Sequence, residues 1–312
     1  QTPMNIRFLE TFVLLARIGS VRRVAELVHA SPGAVSMRIR GLESDLGVTL
    51  FHWDRKTLQI TDAGARLLRH AEAVIEAART LERAARSDDA IGCRLRVGVL
   101  ETAVHTFLPE FVKAMGASLP HIELDLTVDL STHLSEQMMR RDLDLIVRTG
   151  SGVDPQFAVV ENLLEVPVHW IARRGLVPRK DGLHKALGKQ LLTQMRGTDP
   201  YEQAVAMAQQ LAVQSGMVSS DLRISGSPSL AALVSLVREG LGVAIMHGML
   251  VAPQLASGEL VELDLPTPPS FRITTWYPKS PPPGVTDTAQ VLRRVCKSYC
   301  KRVSPHLVRY IG

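Results

Sequence analysis

The stretch HASPGAVSMRIRGLESDLG, residues 29–47, contains the strongest structural signal in the chain. Ser31 is a residue type that caps helix N-termini, and Pro32 follows at the first helical position, where its missing N–H costs nothing. Gly47 is typical of a helix C-terminus. The segment therefore predicts a short amphipathic helix. Its apolar face, with spacings of three and four, is Val35, Ile39, Leu42 and Leu46.

The opposite face of this predicted helix carries small, polar or basic groups. Two further short helices are predicted before it, over residues 7–18 and from a cap at Ser20. Three short helices with a tight turn before the third describe a helix-turn-helix, whose third helix can enter a DNA major groove. Any small three-helix unit produces similar stripes, so a purely structural unit is the alternative. The predicted DNA-contacting residues are Ser31, Pro32, Gly33, Ser36, Met37 and Arg40.

The segment LFHWDRKTLQIT, residues 50–61, offers two short extended pieces and predicts a wing beside these helices. Arg55 and Lys56 between the two pieces are expected to meet DNA phosphate. Residues 1–61 are therefore predicted to form a winged helix-turn-helix DNA-binding domain.

A longer helix is predicted from Asp62 to Arg86, where neither Gly nor Pro occurs after Gly64. Apolar residues along it are spaced 4, 3, 4, 3, 4, the pattern of a coiled-coil seam, and its alanines permit close approach of a second helix. We interpret residues 62–87 as a linker that pairs two copies of the chain. Packing against the protein's own body is the alternative. The predicted dimerisation residues are Leu67, Ala71, Val74, Ala78, Leu81 and Ala85.

The composition of the 312 residues, 46% apolar, 4% aromatic and 21% charged, describes a globular chain and excludes disorder, collagen and disulfide scaffolds. Charge is unevenly distributed. Residues 1–70 hold 10 Lys and Arg against 6 Asp and Glu, residues 71–278 hold 19 against 24, and residues 279–312 hold 7 against 1. A basic N-terminal module beside an acidic middle suggests that one part meets a polyanion, whereas the basic C-terminal end fits a solvated helix face.

The three cysteines, Cys93, Cys296 and Cys300, form no close-spaced framework and favour a reducing compartment. The N-terminal residues contain no long apolar run, so no signal peptide is expected. The sequence contains no uninterrupted run of about 18 apolar residues, so no membrane span is predicted. We therefore expect a cytoplasmic protein without a membrane partner.

Beyond SDDAIGC, residues 87–93, predicted strands alternate with helices and indicate an α/β architecture. Ligands of open α/β sheets bind beyond the C-terminal ends of the strands. Polar groups that follow predicted strand ends are therefore candidates for ligand contact, with helix capping as the alternative for the serines and Thr132. The candidates are Thr102, Ser131, Thr132, Arg148, Ser227 and His247.

Arg148 carries the most specific expectation, because it follows the strand-like run DLDLIV, residues 142–147. A guanidinium at a strand end keeps its charge at any working pH and can bind a carboxylate or phosphate through two parallel hydrogen bonds. We expect an anionic small molecule, oriented by Arg148 with the hydroxyls of Thr102 and Thr132. A structural ion pair with an acidic neighbour is the alternative.

Signals of catalysis, cofactor binding and metal binding are weak. GLGVAI, residues 240–245, lacks the third glycine of a dinucleotide fingerprint, and SGSPS, residues 225–229, lacks the spacing of a nucleophile elbow. Cys296 and Cys300 lie four apart on a predicted helix, without a nearby third ligand in the sequence. We therefore expect no catalytic residues, no cofactor and no metal.

The string AVSMRIRGLESDLGVTLF, residues 34–51, followed by ITDAG, residues 60–64, resembles the DNA-binding end of the LysR-type transcriptional regulators in order and spacing. Downstream, LRVGV, FLPEF, RRDLDLIV and LVREGLGVAIM fall where the effector-binding domain of that family has comparable segments. The resemblance extends from Met4 to about Val303.

The resemblance implies an all-α winged helix-turn-helix domain, a long linker helix and an α/β effector domain over residues 94–303, similar to periplasmic solute-binding proteins. Subdomain I would hold residues 94–164 and 268–303, and subdomain II residues 165–267, with the small-molecule site between them. It further implies a regulator that binds double-stranded promoter DNA and a small effector and forms a homodimer or homotetramer.

Two positions depart from the pattern of the family. Trp53 stands where the wing commonly has Arg, so weaker or differently placed contacts to phosphate are expected there. Met37 stands where polar or basic side chains are frequent, so the sequence leaves the base preference at that position open. A solute-binding protein of a transport system is the alternative function, but it leaves the basic N-terminal module unexplained. A cytosolic α/β enzyme is the third, and it requires a nucleophile and base that the sequence does not show. The sequence identifies neither the effector nor the target promoters.

Overall fold

The computed structural model describes residues 5–53, 58–86, 93–150, 158–180 and 182–312. The chain divides into two compact units, residues 1–92 with 139–142, and residues 93–138 with 143–312. Within the described ranges, each helix is too short or too polar to cross a membrane.

The first unit begins with three short helices that start at capping residues. Asn5, Ser20 and Ser31 each accept a hydrogen bond from a backbone N–H two or three residues further on. Gly19 and Gly47 adopt left-handed conformations that end the first and third helices. The predicted order of helices, wing and long helix is confirmed. The elements are α1 (Ile6–Ile18), α2 (Val21–Leu27), α3 (Pro32–Leu46), β1 (Phe51–Trp53), β2 (Leu58–Ile60) and α4 (Asp62–Arg86).

The predicted apolar stripe of α3 forms the core contact with α1. Val35, Ile39 and Leu42 are fully buried, and Phe12 of α1 lies in the same cluster. Leu46, the last residue of the stripe, is 37% exposed, because the helix ends there. Burial of each such side chain stabilises the unit by about 1.5–3 kcal/mol. The opposite face of α3 is therefore the face left for a partner.

The second unit confirms the α/β expectation and contains two sheets. Its elements are β3 (Cys93–Val99), α5 (Glu101–Val104), α6 (Leu108–Ser118), β4 (Ile122–Val128), α7 (Ser131–Met139), β5 (Leu145–Thr149), β6 (Ala158–Val166), β7 (Val168–Arg173), α8 (Leu183–Leu187), β8 (Gln190–Gln194), α9 (Asp199–Gln214), β9 (Arg223–Ser227), α10 (Leu230–Arg238), β10 (Val243–His247), α11 (Ala252–Ser257), β11 (Leu260–Leu263), β12 (Phe271–Pro278), α12 (Val285–Arg302) and β13 (Arg309–Tyr310).

The first sheet has the strand order β13-β6-β12-β5-β3-β4. Strand β3 is parallel to β4 and β5, whereas β12 is antiparallel to β5 and β6. Helices α6 and α12 cover one face around Phe111 and Tyr299, and α7 covers the other around Leu134 and Trp276. Gly98 permits this close packing of α7, because a Cβ there would lie 2.7 Å from Leu134.

The second sheet has the strand order β11-β7-β10-β8-β9. Strand β8 is parallel to β9 and β10, and β7 is antiparallel to β10 and β11. Successive residues of β7 point to opposite faces: Trp170 packs with α8 and α9, and Ile171 packs with α10. In both sheets the C-terminal ends of the parallel strands therefore form one edge, where ligand-binding groups are expected.

The chain passes from one sheet to the other twice, at Pro167 and over residues 264–270. The predicted subdomain boundary at 164/165 is wrong by two residues, because it falls inside β6, which pairs with β12 as far as Val166. The predicted domain end at residue 303 is also too early, because β13 pairs with β6 in the same sheet. Strands β6, β11 and β13 are made by long-range pairing that the sequence pattern does not reveal.

Candidate functional site

The outward surface of α3, which we call the reading face, comprises Pro32, Gly33, Ser36, Met37 and Arg40. Met37 is 70% exposed, and Arg40 is also exposed. Within the described part of the chain Arg40 makes no hydrogen bond or ion pair. Its five N–H donors are therefore available to a ligand, with the thioether of Met37 beside them as an apolar contact.

The two serines predicted to contact DNA make hydrogen bonds at the start of α3. Ser31 Oγ accepts from the backbone N–H of Ala34 at 3.1 Å, and Ser36 Oγ donates to the carbonyl of Pro32 at 3.1 Å. Ser31 therefore caps the helix. The hydroxyl of Ser31 can still donate its proton and that of Ser36 can still accept, so both side chains can contact a base or a phosphate.

The wing is held against α3 by a carboxylate. Glu43 Oε1 accepts hydrogen bonds from the backbone N–H groups of Leu50 and Phe51, at 2.7 and 3.2 Å. Trp53 at the end of β1 is 43% exposed, and its ring lies edge-on to Phe51 with centroids 6.4 Å apart. Arg55 and Lys56, which are predicted to contact phosphate, lie outside the described residues.

The predicted dimerisation seam on α4 divides into a packed part and an outer part. Leu67 and Ala71 pack on the core of the first unit, where Ala71 is 5% exposed. For these two residues the alternative of packing against the protein's own body therefore holds. The side chain of Ala85 lies outside the described residues. The outer part of the seam consists of Val74 (39% exposed) and Leu81 (71% exposed), with the partly buried Ala78 between them.

In the second unit, groups from both sheets meet at the C-terminal edges of the strands. Glu101 Oε1 of α5 accepts a hydrogen bond from the backbone N–H of Leu230, the first residue of α10, at 2.9 Å. A Cβ on Gly150 would lie 3.4 Å from Arg148 Nη2 and 3.5 Å from Asp199 Oδ2. The end of β5 therefore faces the start of α9. We call this region the effector cleft.

Arg148 is the principal charged group of the effector cleft, and it is 8% exposed. Its Nε donates to the carbonyl of Thr149 at 2.9 Å, its Nη1 donates to Ser135 Oγ at 2.6 Å, and its guanidinium lies 4.4 Å from the centroid of the Trp276 ring. Burial lowers its pKa, and the carboxylate of Asp199 opposes that shift. Nη2 makes no hydrogen bond to any described residue, so it remains available to an anion.

The predicted hydroxyl ligands differ in their surroundings. Ser131 Oγ accepts from the backbone N–H of Thr149 at 3.1 Å and lies 3.0 Å from Thr149 Oγ1, which links the start of α7 to the strand that carries Arg148. Thr132 is exposed in the first turn of α7, and Thr102 is buried in α5. The structure therefore brings Ser131 close to Arg148, whereas no described hydrogen bond joins Thr102 or Thr132 to it.

The two candidates from the second sheet have structural surroundings. Ser227 Oγ donates to the carbonyl of Ser229 and accepts from its backbone N–H, and Ser229 is the residue that caps α10. His247 is 2% exposed and packs edge-on against Phe271. Burial, with His169 nearby, lowers the pKa of His247 to about 4, so the imidazole is neutral. A ligand can contact His247 only after rearrangement of its neighbours.

Several cleft residues are not identified by the sequence analysis. Ser135 and Trp276 orient Arg148 from α7 and β12, and Glu101 and Asp199 line the cleft with carboxylates. Asp199 follows a strand, β8, and so satisfies the strand-end rule used for the other candidates. The contacts of Ser135 and Trp276 have no sequence signal.

The helical cysteine pair has no sign of reactivity. Cys296 lies on the buried face of α12, in the core, and Cys300 is partly buried one turn further on. Burial raises the pKa of both thiols, that of Cys300 to about 11, so both are protonated at neutral pH. The thiol form is a poor nucleophile and a poor metal ligand.

Two protein families match this chain in the same order as its two units. Residues 6–65 match the bacterial regulatory helix-turn-helix protein, lysR family, and residues 90–297 match the LysR substrate binding domain. These matches define a transcriptional regulator with a helix-turn-helix DNA-binding domain and a separate domain for a small molecule. The chain belongs to the LysR family of transcriptional regulators.

Similar proteins cover most of the chain. The regulator CbbR of Rhodospirillum rubrum is 28% identical over 279 residues, covering 88% of this chain and 89% of CbbR. PcaQ of Agrobacterium fabrum is 29% identical over 248 residues, covering 78% and 76%. Among solved structures, ArgP from Mycobacterium tuberculosis has a TM-score of 0.58 at 21% identity, covering 93% of this chain and 96% of ArgP. LysG from Corynebacterium glutamicum, with its effector Arg bound, has a TM-score of 0.58 at 20% identity, covering 95% and 99%. These structures establish the fold.

Proposed function

We propose that this protein binds promoter DNA through the reading face of α3, pairs through α4, and is controlled by an anionic small molecule bound in the effector cleft. Control by an anion is supported by one observation in particular. The Nη2 group of Arg148 makes no hydrogen bond to a described residue and faces the opposite half of the cleft.

The reading face supports direct contact with bases. Arg40 can donate two parallel hydrogen bonds to the O6 and N7 atoms of a guanine, and Met37 can pack against a thymine methyl group. Pro32 and Gly33 leave the N-terminal end of α3 free of bulky side chains, so the helix can approach the floor of a major groove. We propose that Arg55 and Lys56 contact phosphate, because basic side chains commonly fix a DNA-binding domain on the duplex backbone.

Pairing through α4 is supported by the outer part of the seam. Val74 and Leu81 are large apolar side chains exposed on α4, and Ala78 lies between them on the same seam. Burial of these residues against the same residues of a second chain removes apolar surface from water and places two reading faces on one duplex. We propose a homodimer or a homotetramer built from such pairs.

The proposal that the effector is an anion rests on the side chains that surround the guanidinium of Arg148. Trp276 and Ser135 fix the plane of the guanidinium, so little side-chain freedom is lost when an anion binds. The low accessibility of the site strengthens a charge-assisted hydrogen bond relative to one in open solvent. LysG binds its effector Arg, so a protein of this fold holds a small charged molecule. For the present chain we propose a carboxylate or phosphate group opposite Nη2.

Calorimetry with the full chain tests the effector proposal. Small carboxylates and phosphate esters are titrated into the protein, each beside its uncharged amide or alcohol analogue. Hydrogen bonds to a charged group contribute about 1.5–3 kcal/mol, so Arg148→Met should weaken the best anion about 10- to 150-fold. Methionine retains an apolar contact with the Trp276 ring.

The control variant is Arg294→Met, which removes an exposed cation of α12 that donates a hydrogen bond to Ser118 Oγ. It should bind the anion as the wild type does. An uncharged molecule as the best ligand, or an anion that Arg148→Met binds equally well, would remove Arg148 from the effector site.

A transport-class binding protein shares the architecture of the second unit, but it gives no role to the helix-turn-helix domain matched over residues 6–65. We further propose that the chain has no catalytic activity of its own. Selection of duplexes from a random pool with the full chain tests DNA binding directly. Recovery of one enriched sequence supports the proposal, and failure to retain any duplex, with or without anions, contradicts it.

A further inference from the structure

Three side chains distant in sequence meet beside the two connections between the sheets. His169 lies on β7, Glu262 on β11, and His306 in the segment between α12 and β13. Glu262 stands opposite Ile171 in the antiparallel pair, so Glu262 and His169 are diagonal neighbours on one sheet face. The C-terminal segment brings His306 onto this face.

The donor atoms of the three residues converge. His169 Nδ1 lies 2.7 Å from Glu262 Oε1, and His306 Nε2 lies 3.0 and 2.8 Å from the two carboxylate oxygens of Glu262. The imidazole centroids are 4.7 Å apart at an interplanar angle of 65°. One nitrogen or oxygen from each residue lies within 4.8 Å of the others, so one point in space is within reach of all three.

We propose that His169, Glu262 and His306 bind a divalent transition-metal ion, with zinc as the best fit. Two histidines and one glutamate form an established three-ligand set for zinc, with a fourth position left for water or another ligand. Zinc lies about 2.0–2.2 Å from such donors, so its entry separates the hydrogen-bonded atoms by roughly half an ångström and displaces the shared protons.

The ring of His169 is held in place for this role. It is 2% exposed, and its Nδ1 faces Glu262. Gly248 is required beneath the ring, because a Cβ there would lie 2.7 Å from its Cδ2 atom. A buried, oriented imidazole loses little freedom on metal binding, which favours affinity.

The ion can reach the cluster from solvent. The side chain of His306 is 63% exposed and that of Glu262 is 29% exposed, and both line a cavity of about 890 Å³. Arg174 and Arg179 line the same cavity. Their positive charge favours an anionic fourth ligand, such as chloride or a carboxylate, over a second cation.

The position of the cluster gives the ion a structural consequence. His169 lies two residues after Pro167, and Glu262 lies two residues before the second connection, which spans residues 264–270. The segment that carries His306 continues into β13 of the first sheet. A bound ion therefore links the second sheet to the C-terminal segment of the first at the point where the two sheets join.

Direct metal binding tests the proposal without DNA or an effector. The full chain, prepared without an added histidine tag and stripped with a chelator, is titrated with Zn²⁺ by calorimetry and with Co²⁺ by visible absorption. We expect one ion per chain and the d–d bands of a four-coordinate Co²⁺ site. Removal of outer-shell partners typically costs 10- to 100-fold in metal affinity, so loss of a ligand in His306→Ala should cost about 100-fold or more.

Two further variants make the result specific. Glu262→Gln keeps a hydrogen-bond acceptor for both histidines but removes the negative charge, and it should also lose the ion. His105→Ala removes another histidine of the same cavity that is outside the cluster, and its affinity should be unchanged. His306 and Glu262 are accessible, and circular dichroism of each variant verifies that it is folded.

Three outcomes overturn the proposal. The first is that the wild type does not bind Zn²⁺ above the level of nonspecific association. The second is that His306→Ala and Glu262→Gln retain the ion. The third is that His105→Ala loses the ion to the same extent, which would place the ion elsewhere in the cavity.

Discussion

The reading face of α3 and the effector cleft differ in how they are assembled. The reading face lies on one helix between residues 32 and 40, and its outward groups are displayed once that helix forms on its core. The groups around Arg148 come from β5, α7, α9 and β12, which lie far apart in the chain. Substitutions in the reading face should therefore act singly, whereas those in the cleft should be coupled through shared partners.

The largest expected effect tests whether one reading face is sufficient for operator binding. In Ala78→Glu, each of two paired α4 helices places a carboxylate on the seam, where it must lose water beside its symmetry mate. Loss of the pair separates two linked DNA contacts, so affinity for the selected duplex should fall about 10²–10⁴-fold. Fluorescence anisotropy measures the affinity, and light scattering measures the mass.

The matched control is Ala73→Glu, an exposed position of α4 that is not part of the seam. It should keep both mass and affinity. If Ala78→Glu also keeps both, the chain does not pair through this seam, and the reading face functions without it.

The second effect tests direct readout by the reading face. Loss of a base-contacting arginine in Arg40→Ala should cost about 1–3 kcal/mol on the selected sequence, about 5- to 150-fold, and relax the preference at one base pair. Arg40→Lys keeps the charge but not the planar fork, so it should retain the salt dependence and lose the base preference. An equal loss on every duplex sequence would instead place Arg40 on phosphate.

The third effect separates the structural role of Ser31 from a contact to DNA. The hydroxyl of Ser31 caps α3, and loss of such a cap costs about 1 kcal/mol. Amide hydrogen exchange in α3 should therefore be about fivefold faster in Ser31→Ala, whereas Ser31→Asn, which retains a capping acceptor, should exchange as the wild type does. Unchanged exchange in Ser31→Ala would leave DNA contact as the main role of this side chain.

The smallest effect examines the two charges that face each other in the cleft. Asp199 is exposed, and its carboxylate interacts with the charge of Arg148, so we expect it to compete with a bound anion. Exposed charge pairs contribute about 0.2–1 kcal/mol, so Asp199→Asn should strengthen binding of a simple anion by about 1.5- to 5-fold in calorimetry. The control Asp221→Asn changes an exposed carboxylate before β9 and should have no effect. Weaker binding in Asp199→Asn would indicate an effector that carries a cationic group beside its anion.

The strand-end rule uses only local sequence pattern, so it predicts ligand contacts without regard to what later segments cover. It identified Arg148 and Ser131, which the structure links through Thr149. It also selected His247, which is buried against Phe271, because the rule does not show which side chains a later strand will cover. The β6 strand was missed for a related reason: its residues become a strand through pairing with β12, more than a hundred positions later.

The α4 seam shows the same limit in one helix. Its heptad spacing is visible in the sequence, but spacing does not say what each residue packs against. Ala71 packs in the core of the first unit, whereas Val74 and Leu81 remain exposed. The His169, Glu262 and His306 cluster has no sequence signal at all, because its members are 93 and 44 residues apart.

The helices of the first unit, their caps, the polarity of α3 and the alternation of strands and helices that follows can all be derived from the sequence alone. These features depend on residues within one or two helical turns or one strand. The interactions that stabilise them are therefore local and can be predicted from neighbouring residues in the sequence. The tertiary structure determines which groups remain available to a partner: the Nη2 of Arg148, the outer part of the α4 seam and the cluster at the sheet connections. Each depends on contacts between distant segments, whose geometry is set by sheet pairing and core packing rather than by neighbouring residues.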